Sequence, residues 1–443
     1  MKLFVDIKTF FRNPSERSVL ELGKVYSDRE RLYHAVKVLL LGHLTPEDFK
    51  GKKILLKPNF VKQNEAEWDE ICLFTHPNLI LETLHVLLEC QPKSIIVGDA
   101  PIQDCHWEKM LHQDFYNDVE KLSQKYNTPI SIRDFRKVIF DSSTNTFGKS
   151  SRTDDDYLIF DVADKSWLEP ITDEKMKFRV TNYDPDRMKL SHAKGMHRYC
   201  VAKEIFESDI VITMPKTKTH RMACLTNSLK ILVGMNGDKD YLPHHRIGAK
   251  DEGGDCYKDH SILRRLAETL MDFANRHRGA FYFLPVRYMV GALWRISRPN
   301  KGESMAATWY GNDTVWRMVL DLNLIATYGK KDGTMSDTPQ RTMYTLCDAI
   351  VGGQNEGPLY PEPLPAGVLF FSNDPYLSDE VAGNLFKLNL DRIPLLAQAK
   401  RINSEKKYQI ILDGKDVSME DVREIGIEAV VPAGWLNYNS VEN

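Results

Sequence analysis

Short, uninterrupted runs of apolar residues recur along the chain and predict buried β-strands. They lack alternating polar positions, which suits strands of a sheet that is covered on both faces. The five clearest runs are KILLK (53–57), SIIVG (94–98), DIVITM (209–214), CDAIVG (347–352) and GVLFFS (367–372). Weaker candidates are PISIRD (129–134), YLIFDVA (157–163) and YQIIL (408–412), the last followed by an Asp413–Gly414 turn.

Segments with helical periodicity separate these runs. Ser27 to Glu30 has the form of a capping box ahead of an apolar stripe, and Pro77 suits the first turn of a second helix. Ser261 and Ser378 precede two further stripes. Strands that alternate with helices predict an α/β fold with a mostly parallel, doubly wound-like sheet carrying helical and irregular insertions.

Two stretches interrupt this rhythm and predict insertions. Residues 104–195 are polar, irregular and poor in strands, and residues 245–340 join two Gly/Asp-rich loops through helices. We expect both to decorate one interrupted α/β core that spans residues 1–443. The reason is that polar residues following distant strands, from Lys57 to Asp374, are expected to build one site.

The amino-acid composition indicates a globular protein and excludes some classes of function. Apolar residues make up 42% and charged residues 27% of the chain, which is typical of a globular protein with a sizeable core. The 59 basic and 62 acidic residues give a net charge of -3. This balance argues against a general nucleic-acid partner, which requires a basic excess.

The cysteines and the longest apolar segment bear on location. Seven cysteines, at 72, 90, 105, 200, 224, 256 and 347, are too scattered for a metal or iron–sulfur motif, and we expect free thiols in the cytoplasm. Residues 281–294 form an apolar stretch of about fourteen residues that contains Arg287, whereas a membrane span needs roughly 20. We therefore expect no transmembrane segment, and a buried or partner-facing helix at 281–294.

Polar residues follow the apolar runs where strands are predicted to end. Lys57 and Asn59 end the first run, Asp99 the second and Lys216 follows the third, while Glu356 and Asp374 follow the last two. The carboxyl ends of parallel strands meet at one edge of a sheet, where ligands bind. Ordinary turn chemistry explains any single case, but five together favour a site.

The segment 214–230, MPKTKTHRMACLTNSLK, has the highest density of candidate ligand-binding groups. In an extended backbone, alternate residues face the same side, so Lys216, Lys218 and His220 project together. Lys230 lies at the end of the same segment. We expect the three lysines to bind an anion, and His220 to transfer protons, since an unperturbed histidine pKa is about 6.5. Asp99 and Glu356 are candidates to orient His220, and Asp374 to hold a divalent cation. A solvated basic loop is the alternative.

A second polar patch lies in WYGNDTVWRMVLDLN (309–323). Asn312, Asp313 and Thr314 suit the cap of a helix. Arg317 and Asp321 are four residues apart, so they face the same side of the helix and can pair. Asn312, Asp313 and Arg317 are equally candidates to line a ligand pocket.

The same segments carry a resemblance to a family. Lys57-Pro58-Asn59, Thr75-His76-Pro77, Gly98-Asp99, Pro215–His220 followed by Thr226–Lys230, and Gly357-Pro358 with Asp374-Pro375 occur in the order seen in the family named domain of unknown function 362. The resemblance implies an α/β protein. Some members of this family carry a ferredoxin-type iron–sulfur insertion, but this chain lacks the clustered cysteines, so no iron–sulfur cofactor is expected.

These observations lead to one main functional hypothesis and two alternatives. The main hypothesis is an enzyme that acts on a small phosphorylated or carboxylated substrate at the C-terminal edge of the sheet, with its reaction type and cofactors unknown and a divalent metal as one candidate. One alternative is a non-catalytic binding or regulatory protein that uses the same crevice. The other is a redox accessory protein that docks on a partner through residues 281–294.

Overall fold

Twelve strands form one mixed, mostly parallel sheet in the part of the chain that the computed structural model describes, residues 2–141, 146–175 and 177–438. The strands are β1 (Leu3–Thr9), β2 (Lys53–Pro58), β3 (Ser94–Asp99), β4 (Ile130–Asp134), β5 (Ile210–Met214), β6 (Lys216–His220), β7 (Cys224–Thr226), β8 (Thr342–Glu356), β9 (Tyr360–Leu364), β10 (Val368–Ser372), β11 (Tyr408–Leu412) and β12 (Lys415–Val417). All five clear apolar runs are therefore strands of this sheet.

The sheet runs in the order β12-β11-β1-β10-β8-β5-β2-β3-β4. The five strands from β8 to β4 are parallel to one another. β6 continues from β5 after Pro215, lies beside the end of β8 and pairs with β7, while β9 pairs with β8. The predicted α/β fold with a mostly parallel sheet is confirmed.

The direction of β10 differs from the expectation that all five runs are parallel. β10 is antiparallel to both β8 and β1, and Ser372 lies opposite Thr345 near the beginning of β8. Asp374 therefore lies at the edge of the sheet opposite to the ends of β2, β3 and β5. A strand buried on both faces shows the same apolar run in either direction, so the pattern alone does not fix its orientation.

Helices cover both faces of the sheet. Alternate residues of the central strands face different layers: Ile54 and Leu56 pack into one hydrophobic cluster and Leu55 into another. The first cluster contains helices Arg29–Leu41 and Pro77–Glu89, and the second contains helix Val315–Tyr328. This double covering explains why the strands lack alternating polar positions.

The described residues form further helices and small sheets outside the main sheet. The other α-helices are Val19–Ser27, Pro46–Phe49, Asp69–Cys72, Trp107–Met110, Gln113–Tyr126, Pro185–Ser191, Glu204–Glu207, Ile262–Arg276, Phe283–Ile296, Pro375–Leu385, Pro394–Asn403 and Met419–Glu424. Short 3-10 helices are Pro14–Glu16, Asp154–Asp156, Ala163–Lys165, Glu169–Ile171, Lys230–Met235, Lys239–Tyr241, Lys250–Glu252 and Ala433–Trp435. Small separate sheets pair Tyr157–Asp161 with Met196–Ala202 and His192–Ala193, Phe178–Arg179 with His245–Arg246, and Val138–Asp141 with Thr146–Lys149.

The two predicted insertions differ in how they join the core. Within residues 104–195, helix Gln113–Tyr126 leads into β4, which extends the main sheet. Within residues 245–340, helices Ile262–Arg276 and Phe283–Ile296 pack on each other, and Val315–Tyr328 covers the sheet. Among the described residues, no helix is long and apolar enough to cross a membrane.

The N-terminal caps of the helices can be compared with the caps that the sequence predicts. Ser261, which precedes a predicted helix, caps that helix, and the Asn312 carboxamide accepts hydrogen bonds from the backbone N–H groups of Thr314 and Val315. Asp28, rather than Ser27, caps helix Arg29–Leu41, because Ser27 ends the preceding helix. The predicted helices therefore stand, but one cap is displaced by a residue, and the helix expected after Ser378 begins earlier, at Pro375.

Candidate functional site

A cavity of about 610 Å³ lies at the carboxyl ends of β2, β3 and β5. Asn59 follows β2, Asp99 ends β3, and Lys218 lies on β6 directly after β5. His220 and Lys230 line the same cavity. The structure thus brings together five of the residues that the strand ends and the segment 214–230 singled out.

Cationic groups outnumber carboxylates on the cavity wall. Asp99 and Asp104 are its two carboxylates among the described residues. Six cationic side chains line it: Lys218, Arg221, Lys230, Lys239, Arg278 and Arg287. Since Asp99 is already paired with a buried lysine outside the lining, the wall carries an excess of positive charge.

That pair joins Lys57 to Asp99 behind the cavity wall. Lys57 Nζ lies 2.6 Å from Asp99 Oδ1, and both side chains are buried. The second oxygen of Asp99 accepts a hydrogen bond of 2.7 Å from the backbone N–H of Phe60. Lys57 therefore holds the ends of β2 and β3 together, and its ammonium is not among the groups that face the cavity.

Lys216 also forms a buried ion pair away from the cavity. Its Nζ lies 2.6 Å from Asp348 Oδ2, 2.9 Å from the Tyr26 hydroxyl and 2.8 Å from the Ile71 carbonyl oxygen. The Tyr26 hydroxyl in turn donates to Asp348. With its donors engaged and its side chain fully buried, Lys216 has the environment of a structural lysine.

Three other buried lysines lie on the cavity wall without a carboxylate within ion-pair distance in the described part of the chain. Lys218 donates to the Leu73 carbonyl oxygen, and Lys239 donates to the carbonyl oxygens of Ala100 at 3.0 Å and Asn236 at 3.1 Å. The side-chain ammonium of Lys230 makes neither an ion pair nor a hydrogen bond with any described residue. These three lysines are called the cavity lysines below.

Burial changes the acidity of the cavity lysines. Loss of hydration, together with the charges of neighbouring lysines, lowers the pKa of both Lys218 and Lys230 to about 7. Burial lowers the pKa of Lys239 to about 8, with the Asp99 carboxylate opposing the shift. Near neutral pH each group therefore changes protonation readily, and an anion in the cavity favours the charged form.

Two histidines on the wall are neutral at physiological pH. Burial and the nearby Lys230 lower the pKa of His220 well below its usual value, which differs from the near-neutral value expected for an acid/base histidine. His220 Nδ1 accepts hydrogen bonds from the backbone N–H groups of Met222 at 3.0 Å and Ala223 at 3.2 Å. The ring proton therefore lies on Nε2, which makes His220 a hydrogen-bond donor at that atom.

His244 has the opposite tautomer. Its Nδ1 donates to the Leu242 carbonyl oxygen at 2.7 Å, which leaves Nε2 as an acceptor, and burial lowers its pKa to about 4. Asn59 adds a further acceptor, because its Oδ1 is buried and has no hydrogen-bond partner among the described residues. His220 Nε2 therefore adds a neutral donor to the cations of the wall, and His244 Nε2 and Asn59 Oδ1 add two acceptors.

Sequence reasoning missed Lys239, His244, Arg278 and Arg287. Lys239 begins the 3-10 helix Lys239–Tyr241 and His244 follows it, so neither comes directly after a predicted strand and the strand-end rule did not select them. Arg287 had a usable signal, since it is the charge that interrupts the apolar stretch 281–294. Arg278 and Arg287 belong to the connection and second helix of the pair Ile262–Arg276 and Phe283–Ile296, which forms one side of the cavity.

The remaining predicted residues lie outside the cavity lining. Glu356 pairs with Arg221 at 2.9 Å and accepts from the Ala433 N–H. Asp374 caps helix Pro375–Leu385 and pairs with Lys406 at 2.8 Å. Neither carboxylate is therefore placed to orient His220 or to hold a cation in the cavity.

The 312–317 patch has a structural role in the described chain. Arg317 pairs with Asp313 at 3.2 Å rather than with Asp321, the partner that the helical spacing allowed. Asp321 instead accepts hydrogen bonds from Trp167 N–H at 2.7 Å and the Tyr199 hydroxyl at 2.8 Å. Asn312 reaches the cavity indirectly, because its side chain donates to the His244 carbonyl oxygen at 3.0 Å.

The described residues give little support for a metal site or a reactive thiol. The described residues contain no group of three or more His, Cys, Asp or Glu side chains that could hold a metal ion. The seven cysteines are free and buried. Burial raises the pKa of Cys224, the cysteine adjacent to His220 across the β6–β7 ladder.

A second depression, of about 650 Å³, lies at the opposite edge of the sheet beside the first residues of β5 and β8. Its lysines, Lys52, Lys330 and Lys331, are exposed to solvent. Exposed lysines keep their hydration and gain little from an anion. The cavity with buried lysines is therefore the stronger candidate site.

Comparison with known proteins identifies the family. No curated protein matches the chain. The profile described as domain of unknown function (DUF362) matches residues 132–384, which is more than half of the chain. The matched segment contains the cavity lysines, both cavity histidines and all three cavity arginines, whereas Asn59 and Asp99 precede it. The chain therefore belongs to the DUF362 family, as the Pro215–Lys230 segment predicted.

Proposed function

We propose that this protein is an enzyme that acts on a small anionic substrate, phosphorylated or carboxylated, bound in the cavity at the C-terminal edge of the sheet. The observation that carries the proposal is the group of cavity lysines, Lys218, Lys230 and Lys239. All three are buried beside the same cavity, and no described carboxylate pairs with them.

The cost of burying these lysines supports this function. Removing an ammonium group from water is unfavourable by several kcal/mol unless another charge compensates it. At Lys57 and Lys216 a buried aspartate supplies that compensation. At the cavity lysines the compensating charge is absent from the described chain, and a bound phosphate or carboxylate would supply it.

The size and composition of the cavity also support a small ligand. Its volume of about 610 Å³ lies in the range of roughly 300–1,000 Å³ typical of small-molecule sites. Apolar side chains such as Phe60, Val61 and Ile102 share its wall with the charged groups. We therefore infer a ligand with an anionic group at the lysines and a less polar remainder.

Lysines with a pKa near neutrality support catalysis over simple binding. A lysine whose pKa is lowered to about 7 is partly deprotonated at physiological pH, and the free amine can accept a proton or attack a carbonyl group. His220 would donate a hydrogen bond from neutral Nε2 to a substrate oxygen. Lys230, which makes no hydrogen bond with described residues, is the best proton-transfer candidate.

Titration calorimetry with inorganic phosphate and with succinate tests the binding step. We expect Lys218→Met and Lys230→Met each to lower the affinity for the tighter-binding of the two ligands by about 10- to 100-fold. A charge-assisted hydrogen bond contributes roughly 1.5–3 kcal/mol to binding. Lys62→Met is the matched control, because Lys62 is equally buried but pairs with Glu65 at 2.5 Å outside the cavity. Equal affinity in all four proteins, or an equal loss in the control, would contradict the proposal.

A second measurement separates an enzyme from a non-catalytic binding protein. The ligand that binds is incubated with the protein in deuterium oxide and followed by NMR. Deuterium incorporation or turnover that Lys230→Met abolishes would support catalysis. Tight binding of a series of phosphate and carboxylate ligands with no chemical change would favour the regulatory alternative.

We also infer that the protein works in the cytoplasm. Seven cysteines are each free and buried, as expected for a chain kept in a reducing compartment. Imaging of a fluorescent fusion in the source cells would test this location.

A further inference from the structure

Helices Ile262–Arg276 and Phe283–Ile296 form a helical hairpin beside the cavity. Their inner faces pack together through Ala267, Met271 and Val290, which form a small hydrophobic cluster of their own. The two outer faces are not covered by any described part of the chain. The hairpin therefore presents an outer surface that is separate from the main hydrophobic core.

The outer surface of the hairpin is apolar. Phe281 is 94% exposed and Tyr288 is 79% exposed, and Leu284 and Ile296 lie on the same face as Tyr288. Phe273 of the first helix is also exposed and stacks on Tyr282, which contacts Phe281. Exposed apolar groups therefore continue from one helix to the other.

The end of the first helix, the second helix and the residues that follow it carry only positive formal charge. Residues 273–302 contain six arginines or lysines and no aspartate or glutamate, in a chain whose net charge is -3. Arg295, Arg298 and Lys301 are exposed and make no ion pair with described residues. An apolar face bordered by basic side chains complements an anionic lipid surface, where apolar groups enter the acyl boundary and cations meet headgroups.

We propose that the outer face of the helical hairpin docks in the plane of an anionic phospholipid surface. Helix Phe283–Ile296 has 14 residues, too few for a span, which needs roughly 20. Phe281 and Tyr288 enter the interface, and Arg295, Arg298 and Lys301 bind lipid headgroups. Arg278 and Arg287 line the cavity from the same hairpin, so docking places the cavity beside the lipid surface.

Flotation of the full chain with vesicles tests this proposal. We compare pure phosphatidylcholine with vesicles in which about one third of the lipid is phosphatidylserine. The wild-type chain should bind the anionic vesicles. The double variant Phe281→Ser/Tyr288→Ser should bind them at least about tenfold more weakly, since each exposed apolar side chain gains roughly 1.5–3 kcal/mol on burial.

Matched variants separate apolar burial from charge. Leu20→Ser removes an apolar side chain that is 67% exposed on another helix and should leave binding unchanged. Arg295→Glu should weaken binding to anionic vesicles roughly tenfold or more, because each cation contributes about 1 kcal/mol. Lys415→Glu, the same charge reversal at an exposed position on β12, should have little effect.

Three results would overturn the proposal. These are equal binding of the wild-type chain to neutral and anionic vesicles, equal binding by the double variant and Leu20→Ser, or a wild-type dimer that the double variant dissociates in sedimentation. The last would identify the face as an interface between copies. Lys230→Met should bind vesicles like the wild type, so failure of the cavity function and failure of docking are distinguishable.

Discussion

Replacing Lys230 by methionine should make the protein more stable while removing its ligand. Lys230 is 9% exposed and has no carboxylate partner in the described chain, so its charged form is a net cost to the fold. Methionine keeps an unbranched apolar side chain of similar length and removes the ammonium group. Stability and function are therefore expected to change in opposite directions at this residue.

The pKa of Lys230 gives the size and the sign of the effect. Burial lowers this pKa from 10.5 to about 7, so between these values the unfolded chain binds more protons than the folded chain. Raising the pH through this window therefore stabilises the wild-type protein. Lys230→Met should exceed wild-type stability by roughly 4 kcal/mol at pH 7, and the difference should fall to about 2 kcal/mol at pH 9.

Urea unfolding at pH 7, 8 and 9 measures this difference directly. Because both proteins contain the same buried tyrosines and cysteines, the pH dependence of those groups cancels in the comparison. Lys230→Arg retains the cation and should show no gain. A Lys230→Met protein less stable than the wild type at pH 7, or a gain that does not shrink with pH, would refute the view that Lys230 is an uncompensated buried cation.

Three further predictions use the same reasoning. Lys216→Met should destabilise the fold by about 3–5 kcal/mol in urea unfolding, because it leaves Asp348 buried and unpaired; a gain like that at Lys230 would contradict the assignment of Lys216 as structural. Gly234→Ala should lower stability by roughly 1–3 kcal/mol in thermal unfolding, since a Cβ there would collide with the Asp99 carboxylate and Lys57 Nζ; unchanged stability would show that this pair can shift. Phosphate affinity measured by calorimetry should fall roughly tenfold or more between pH 6.5 and 9 as the cavity lysines lose their protons, whose pKa values are about 7 to 8; a flat profile would contradict anion binding by these groups.

The sequence predicted the sheet and much of the cavity wall. Apolar runs located the central strands, and the strand-end rule selected Asn59, Asp99 and Lys218. Alternation along β6 was also informative, since Lys216 and Lys218 both reach the backbone carbonyl oxygens of residues 71–73. These features depend on local pattern, which a single sequence contains.

The ion-pair partners of the buried lysines and the direction of β10 could not be predicted from the sequence. Lys57 and Lys218 look alike in the sequence, yet Asp99 compensates the first and no described carboxylate compensates the second. Such pairing depends on contacts between residues far apart in the chain. The antiparallel direction of β10 also depends on contacts between distant residues. It places Asp374 at the edge of the sheet opposite to the predicted site.

The central position of β5 affects the order in which the chain can fold. β5 pairs on one side with β2, about 150 residues earlier, and on the other with β8, which begins about 130 residues later. During synthesis at roughly 5–20 residues per second, one edge of β5 remains without its neighbour for about 6–25 seconds. A fragment confined to the family-matched residues 132–384 would also lack β2 and β3. Such a fragment should aggregate through the open edge of β5 rather than retain the cavity.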